Sequence, residues 1–152
     1  MIRDIELLQG AALLRVLQFK PGVQVTQMMS LHSSLYKVDS EQHKSAILLK
    51  LSTRKKAPWQ YVFSEFEQRA IAKISADGTS RIFIGLICSK DGICCISARL
   101  LKQVMGGETF ARKALSVYRS QGTSYRITGP QRKKFRRTFP VNLWPRIIFE
   151  ET

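Results

Sequence analysis

Two short basic segments, residues 53–59 and 131–137, contain the side chains that nucleic-acid binding requires. The first holds Arg54, Lys55, Lys56 and Trp59. The second holds Arg132, Lys133, Lys134, Phe135, Arg136 and Arg137. Cationic side chains can bind phosphates, and exposed rings can stack on unpaired bases. The alternative interpretation is that both segments are solvated charge runs, with the ring of Trp59 packed in the core.

The charge of the whole chain favours the first interpretation. Its 152 residues include 25 Lys and Arg against 11 Asp and Glu, which gives a formal net charge of +14. Residues 1–50 carry six basic and four acidic side chains, whereas residues 101–152 carry eleven and three. Such an excess destabilises a compact chain through self-repulsion unless a polyanion neutralises it. We therefore expect DNA or RNA as the main partner, other protein subunits as further partners, and no cofactor.

The three cysteines, Cys88, Cys94 and Cys95, do not indicate a metal site. Cys94 and Cys95 are adjacent, so in a strand their side chains point to opposite faces. His32 and His43 are not spaced as zinc ligands with each other or with a cysteine. An odd number of cysteines in apolar surroundings instead predicts buried thiols in a reducing compartment.

The composition is typical of a globular protein without a membrane span. Apolar residues make up 44% of the chain, well above the level of disordered sequences. No segment approaches the ~18 apolar residues that a membrane span requires, and no signal peptide is recognisable. We expect a cytoplasmic protein, associated with a nucleoid or, in a eukaryote, nuclear.

The candidate residues must be positioned by a mixture of helices and strands. Residues 4–18 have apolar side chains on almost every side, which predicts a largely buried helix. Three strands are predicted next, at residues 23–28, 34–39 and 45–52. Ser64 and Glu67 form a capping-box pattern at the start of a second helix. The apolar face of that helix comprises Phe63, Phe66, Ala70, Ile71 and Ile74.

The strands at 45–52 and 81–88 are both apolar on two faces, which is typical of central strands. One helix lies between them in the chain, so we predict a parallel βαβ crossover. The predicted fold is therefore α+β, or mixed α/β, with a central mixed sheet flanked by helices. The residues expected to be buried together are Ile47, Leu49, Leu51, Phe66, Ile74, Ile82, Ile84 and Leu86.

The rest of the chain predicts smaller elements. Asp91–Gly92 indicates a tight hairpin turn. The elements expected after it are a strand at 93–97, a helix at 98–105 and a hairpin of strands 114–119 and 125–128. We expect one domain over residues 1–152, with its core in about 4–128. Residues 129–152 contain three prolines and are expected to form a basic C-terminal extension.

In the order helix, three strands, helix, strand, residues 4–88 resemble the PD-(D/E)XK nucleases, which have the restriction-endonuclease-like fold. The resemblance implies an Asp at the end of the second strand and a Glu-x-Lys motif on the third, which hold a divalent metal such as Mg²⁺ for phosphodiester cleavage. Asp39 and Lys50 lie at the positions of that Asp and that Lys. Leu48 replaces the Glu. Some members of the fold supply it from the following helix, where Glu67 lies on the side that faces the sheet.

Structural roles can account for the same three residues. Glu67 is a capping-box partner of Ser64, and Asp39 suits a turn at a strand end. Lys50 needs a partner or a task, because lysine is rare in a central strand. Three functions therefore remain open. The favoured one is non-catalytic nucleic-acid binding, as a small subunit of a DNA- or RNA-processing assembly. The others are a Mg²⁺-dependent nuclease using these residues, and a protein-interaction module or inhibitor that docks on an acidic protein surface.

Overall fold

The computed structural model describes residues 1–78 and 80–150, except for the side chain of Arg132. The helices are α1 (Asp4–Phe19), α2 (Glu65–Asp77) and α3 (Ala98–Met105). The strands are β1 (Gln24–Gln27), β2 (Leu35–Asp39), β3 (Lys44–Ser52), β4 (Trp59–Val62), β5 (Arg81–Cys88), β6 (Gly92–Ser97), β7 (Ala114–Tyr118), β8 (Tyr125–Thr128) and β9 (Lys134–Phe139). Short 3-10 turns occupy Pro130–Arg132, Val141–Leu143 and Arg146–Phe149.

Five strands form a mixed sheet in the order β1-β2-β3-β5-β6. The central strands β3 and β5 are parallel neighbours, and the other pairs are antiparallel. These two strands are the segments whose apolar residues lie on both faces, and α2 lies between them in the chain. The predicted α+β fold, with a mixed sheet and one parallel crossover, is therefore confirmed.

The predicted capping box is present at the start of α2. The hydroxyl of Ser64 accepts a hydrogen bond from the backbone N–H of Glu67 at 3.1 Å. In return, the Glu67 carboxylate accepts one from the backbone N–H of Ser64 at 2.8 Å. The helix ends at Gly78, whose φ of 70° lies in the left-handed region that favours glycine.

Four further strands form a second, antiparallel sheet in the order β4-β7-β8-β9. The hairpin of β7 and β8 matches the prediction, but the sequence does not predict β4 or β9. The cations of β9 obscure the alternation that normally identifies a strand. The expected end of the core near residue 128 must be corrected, because β9 belongs to this sheet and Trp144 is 3% exposed. Residues 129–150 are thus built into the fold.

The five-stranded sheet is buried on both faces by two separate clusters. One cluster lies between the sheet and α1 and includes Ile47 and Leu49. The other lies between the sheet and α2, α3 and the second sheet, and includes Ile84 and Leu86. The residues predicted to be buried together are therefore divided between two faces, because alternate residues of a strand point in opposite directions.

Phe66 was expected in this core and is instead 69% exposed. The residues of α2 that face the sheet are Glu67, Ala70, Ile71 and Ile74. Phe66 precedes Glu67 by one position, so its side chain is rotated by about 100° from that face. The prediction that Phe66 is buried is therefore wrong.

The first helix, α1, is also less buried than predicted. Its buried residues are Gln9, Ala12 and Val16. By contrast, Leu7, Leu14 and Leu17 are each about half exposed. The helix packs on the sheet along one side, and apolar residues on its other side have no cover within the described part of the chain. Neither α1 nor any other helix among the described residues is long and apolar enough to cross a lipid bilayer.

Candidate nucleic-acid interface

Lys50 and Glu67, two of the predicted catalytic residues, form a buried ion pair. Lys50 Nζ lies 2.8 Å from Oε1 and 3.0 Å from Oε2 of Glu67. The two side chains are 14% and 7% exposed, respectively. Lys50 extends from the central strand β3, and the capping box holds Glu67 in the first turn of α2. The prediction that Glu67 lies on the sheet-facing side of α2 is confirmed.

Neighbouring groups complete the environment of this pair. Lys50 Nζ also donates to the backbone carbonyl of Val62 at 2.8 Å and lies 4.8 Å from the centre of the Phe63 ring. The carboxylate of Glu67 also accepts the backbone N–H of Ser64. The pair therefore attaches the start of α2 to β3 and to the end of β4. This structural task accounts for a lysine in a central strand.

Asp39, the third predicted catalytic residue, lies far from that pair. It is the register partner of Lys44, at the opposite end of β3 from Lys50. Six residues of a strand span about 20 Å at ~3.3 Å per residue. Its carboxylate instead lies 3.6 Å from the ammonium of Lys37. The three residues cannot share a metal ion whose oxygen ligands lie at ~2.0–2.6 Å, so the predicted catalytic site is wrong.

The part of the chain that the structure describes contains no other candidate metal site. No three His, Cys, Asp or Glu side chains there are grouped as a metal site requires. The cysteines Cys88, Cys94 and Cys95 are free and buried in the core, as predicted. Burial raises the pKa of each thiol, for Cys88 to about 12. They are apolar packing groups rather than nucleophiles.

The ring of Trp59, predicted to stack on bases, is 2% exposed. It packs edge-to-face on Tyr125, with ring centres 6.3 Å apart. Its indole N–H donates to the backbone carbonyl of Arg54 at 2.7 Å. Burial of a large ring is strongly favourable when its polar N–H finds a partner. Trp59 therefore anchors the preceding loop to the second sheet, and the predicted stacking role is wrong.

The basic loop, which we define as residues 53–58, connects β3 to β4. Its cationic side chains, Arg54, Lys55 and Lys56, are all exposed. None of them forms an ion pair with another described residue. The loop thus presents three uncompensated cations beside the edge strand β4.

The second basic segment contains the opposite edge strand, β9. Its exposed cations are Lys133, Lys134, Arg136 and Arg137. The guanidinium of Arg137 lies 5.6 Å from the centre of the Phe139 ring. Phe135 is half-buried and stacks on Phe139, with ring centres 6.4 Å apart. Phe135 packs toward the core, so it does not offer the free ring that was predicted. The side chain of Arg132 lies outside the described part of the chain.

Alternate residues of the second sheet point away from the core and form a polar, basic surface. Two cross-strand rows define it, Gln60–Ser116–Thr128–Lys134 and Tyr118–Arg126–Thr138. Arg136 lies between Lys134 and Thr138 on β9, where the register with β8 shifts, and it is also exposed, so we include it with them. We call this surface the outer face: Gln60, Ser116, Tyr118, Arg126, Thr128, Lys134, Arg136 and Thr138.

Two residues of the outer face, Arg126 and Tyr118, are not singled out by the sequence. They are cross-strand partners, and the side chain of Arg126 is exposed. The signal that identifies Arg126 is the alternation in β8, where the flanking Tyr125 and Ile127 are both fully buried. In the sequence, a single cation in a four-residue strand is a much weaker indication of a binding site than the dense charge of residues 131–137.

An exposed aromatic ring lies beside the outer face. Phe66 and Val62 line a shallow surface cavity. Val62 is two residues after Gln60 on β4, so it points to the same side of the sheet as Gln60. The guanidinium of Arg69 lies 4.9 Å from the centre of the Phe66 ring. A ring that is exposed and flanked by a cation can stack on an unpaired base. Phe66, and not Trp59, is therefore an exposed ring beside this face.

The part of the sequence that contains Arg126, Lys134 and Arg136 has no acidic residues that could offset their charge. Residues 109–149 include ten Lys and Arg and no Asp or Glu. Three of the ten pair with carboxylates elsewhere in the chain; these are Arg112, Arg119 and Arg146. By contrast, Arg126, Lys134 and Arg136 form no ion pair with any residue that the structure describes. The outer face therefore carries uncompensated positive charge.

No protein-family model, curated protein or solved structure matches this chain. Function must therefore be inferred from the surface itself. Its most distinctive feature is the combination of the outer face with the basic loop beside it.

Proposed function

We propose that this protein binds nucleic acid through the outer face and the basic loop. The observation that supports this function is the group of uncompensated cations on one side of the second sheet, Arg126, Lys134 and Arg136. A phosphate backbone presents a regular series of negative charges, and its binding by cations releases condensed counterions. The net charge of +14 adds a long-range attraction that accelerates encounter.

The arrangement of these cations suits an extended polyanion. Neighbouring strands are ~4.8 Å apart, and alternate residues of one strand are ~6.6 Å apart. Lys134 and Arg136 are alternate residues of β9, and Arg126 lies on the neighbouring strand β8. Hydroxyl groups of Ser116, Thr128 and Thr138 on the same face can also donate hydrogen bonds to phosphate oxygens. The face therefore combines charge with directional donors.

We further propose a binding role without cleavage, as a small subunit of a DNA- or RNA-processing assembly. The resemblance to the restriction-endonuclease-like fold is part of this proposal. In it, the first sheet and its helices keep that element order, β4 of the second sheet is inserted between β3 and α2, and the metal site is lost. The separation of Asp39 from Lys50 and Glu67 supports it, because one carboxylate does not position a divalent cation. Such a protein would act where its nucleic acid is, in the cytoplasm, on a nucleoid or in a nucleus.

Electrophoretic mobility shifts test this function with single- and double-stranded DNA and RNA, each with and without Mg²⁺ or Mn²⁺. We expect shifted but intact nucleic acid, with an affinity that falls steeply as the salt concentration rises. Metal-dependent cleavage would overturn the non-catalytic role. The absence of a shift at low salt with all four nucleic acids would overturn binding itself.

Competition with polyglutamate distinguishes nucleic acid from an acidic protein surface as the partner. Polyglutamate offers negative charge without phosphates or bases. We expect unlabelled nucleic acid to displace a labelled strand at a much lower concentration of charge than polyglutamate does. Equal displacement by the two polymers would favour docking on an acidic protein.

A further inference from the structure

A cavity lies at the edge of the five-stranded sheet where the parallel strands β3 and β5 end. Ser52 and Cys88, the last residues of these strands, are register partners, so the following loops begin side by side. The backbone N–H of Ser89 donates to the carbonyl of Ser52 at 2.9 Å and joins the two loops. The carboxyl ends of parallel strands are the usual place for ligand sites in open sheets.

The cavity has a volume of about 410 Å³ and separates these two loops from the first turns of α1. Small-molecule sites are generally ~300–1,000 Å³. We call it the end cavity, and the residues that can contact a ligand there include Leu7, Leu8, Thr53, Lys55, Ser89 and Lys90.

The end cavity has an excess of positive charge. Lys55 and Lys90 are exposed, and neither forms an ion pair with another residue in the described ranges. The carboxylate of Asp91, at the cavity wall, is already compensated. It accepts hydrogen bonds from Arg119 at 2.7 and 3.0 Å and from the Tyr125 hydroxyl at 2.7 Å.

The other lining groups suit a ligand with an anionic part and an apolar part. The hydroxyls of Thr53 and Ser89 can donate to phosphate oxygens beside the lysines. On the side of α1, Leu7, which is 54% exposed, and Leu8 form an apolar wall. The carboxylate of Asp4 offsets one of the two lysine charges, so the cavity retains a net positive charge.

Both loops are held in position by the protein itself. The backbone N–H of Asp91 donates to the carbonyl of Cys88 at 2.9 Å and closes the turn after β5. Within this turn Ser89 has a φ of 50°, a conformation that is uncommon for residues with a side chain and clusters at functional sites. The indole of Trp59 fixes the basic loop through the carbonyl of Arg54. Because the backbone of both loops is already fixed, ligand binding needs to order only the side chains that contact it.

We propose that the end cavity binds a nucleoside phosphate, with its phosphate between Lys55 and Lys90 and its base or sugar against Leu7 and Leu8. This inference rests on the proposed function. The source of the ligand is then the phosphorylated end of a bound strand, because the basic loop continues from the cavity to β4 at the edge of the second sheet. A free mononucleotide has the same chemistry and is the other source.

Fluorescence anisotropy with three short single strands tests the inference. The strands differ only in their ends, with a 5′-phosphate, a 3′-phosphate, or hydroxyls at both ends. The wild type should bind one of the phosphorylated strands about tenfold more tightly than the hydroxyl strand, because hydrogen bonds to charged groups are the stronger ones. In Lys55→Ala/Lys90→Ala this preference should disappear.

Two further variants serve as controls, and circular dichroism verifies that each variant is folded. Lys20→Ala/Lys73→Ala removes the same charge outside the cavity, the basic loop and the outer face, and should keep the preference for the phosphorylated end. Lys55→Arg/Lys90→Arg retains both charges and should also keep it. A preference that persists in Lys55→Ala/Lys90→Ala would overturn the assignment to this cavity.

The outcomes separate this inference from the proposed function. Equal binding of all three strands by the wild type would overturn the end cavity and leave nucleic-acid binding intact. Calorimetric titration with adenosine monophosphate tests whether the ligand is instead a free mononucleotide. One outcome would be that no strand binds, that adenosine monophosphate binds, and that Lys55→Ala/Lys90→Ala abolishes the binding of adenosine monophosphate. In that case the cavity holds a free nucleotide and the proposed function fails.

Discussion

Lys50 and Glu67 form an ion pair with 2.8 Å between Nζ and Oε1, buried between β3 and the first turn of α2. Both partners were candidates for a metal-dependent active site. The pair also donates to or accepts from the backbone of Val62 and Ser64. Lys50 Nζ lies over the ring of Phe63, and Nε2 of His32 lies 4.0 Å from Oε2 of Glu67. Its role is therefore to join two elements, and its loss should affect stability.

Replacing Lys50 by Met should lower the free energy of unfolding by about 3 kcal/mol, because the Glu67 carboxylate would remain buried without its partner. Lys50→Met/Glu67→Leu should recover part of this loss, since no buried charge remains. Urea unfolding measures both variants. As a control, Arg112→Ala breaks the pair with Glu65, whose side chains are 82% and 54% exposed. It should change stability by less than about 1 kcal/mol. Similar small losses in Lys50→Met and the control would contradict a structural role.

Both tryptophans should be shielded from solvent in the folded protein. Trp59 is 2% and Trp144 is 3% exposed. We expect blue-shifted emission and weak quenching by acrylamide, with quenching increasing after unfolding in urea. Trp144→Phe isolates the signal of Trp59, which should stay weakly quenched with and without nucleic acid. Strong quenching of this folded variant would show that the ring of Trp59 is accessible after all.

Acid should destabilise the protein partly through Asp91. Burial alone opposes ionisation, but hydrogen bonds from Arg119 and Tyr125 outweigh it and lower the pKa of Asp91 from its ordinary value of 3.8. A carboxyl with a lowered folded-state pKa stabilises the fold above the unfolded-state pKa. That contribution is lost as the pH falls from about 4 through the folded-state value. Asp91→Asn should therefore be less stable at pH 7 and show a shallower loss of stability below about pH 4. Urea unfolding across this pH range measures the stability of the wild type and of Asp91→Asn. Parallel curves of stability against pH for the two proteins would refute the role of Asp91.

The thiols should resist alkylation while the protein is folded. Burial raises the pKa of Cys88 to about 12 and also raises the pKa of Cys94 and of Cys95. The thiolate is the reactive form, so iodoacetamide at pH 8 should modify the folded protein very slowly. Mass spectrometry should find three modified cysteines after unfolding in urea. Rapid modification without urea would place a thiol at the surface.

The first sheet is the part of the fold that local sequence signals predict best. Ser64 and Glu67 mark the start of α2 because a capping box involves residues only three positions apart. Asp91–Gly92 marks the turn between β5 and β6 for a similar reason. The apolar runs of β3 and β5 indicate central strands because burial on both faces excludes polar residues. Each of these signals is contained in a few consecutive residues.

The features that could not be predicted depend on contacts between distant residues. Trp59 is buried because it packs on Tyr125, which lies on another strand of the second sheet. The distance between Asp39 and Lys50 depends on the register of β2 against β3. Leu14 remains exposed although the pattern of α1 is apolar on every side. No local pattern contains this information. The outer face likewise depends on the pairing of four strands that are separate in the sequence.

The most direct test of nucleic-acid binding by the outer face compares two triple variants of equal charge. The variants are Arg126→Ala/Lys134→Ala/Arg136→Ala on the outer face, and Arg15→Ala/Lys20→Ala/Lys73→Ala at exposed positions elsewhere. Each removes three cations from a net charge of +14. Single exposed substitutions usually change stability by less than ~0.5 kcal/mol, so both variants should fold.

The measurement is the affinity for a labelled strand over a series of salt concentrations. In the outer-face variant, affinity should fall sharply, and the slope of log K against log salt should become shallower by about 2–3, because each lost phosphate contact removes ~0.7–0.9. The variant with the other three substitutions should keep the wild-type slope. Equal slopes in the two variants would contradict binding through the outer face.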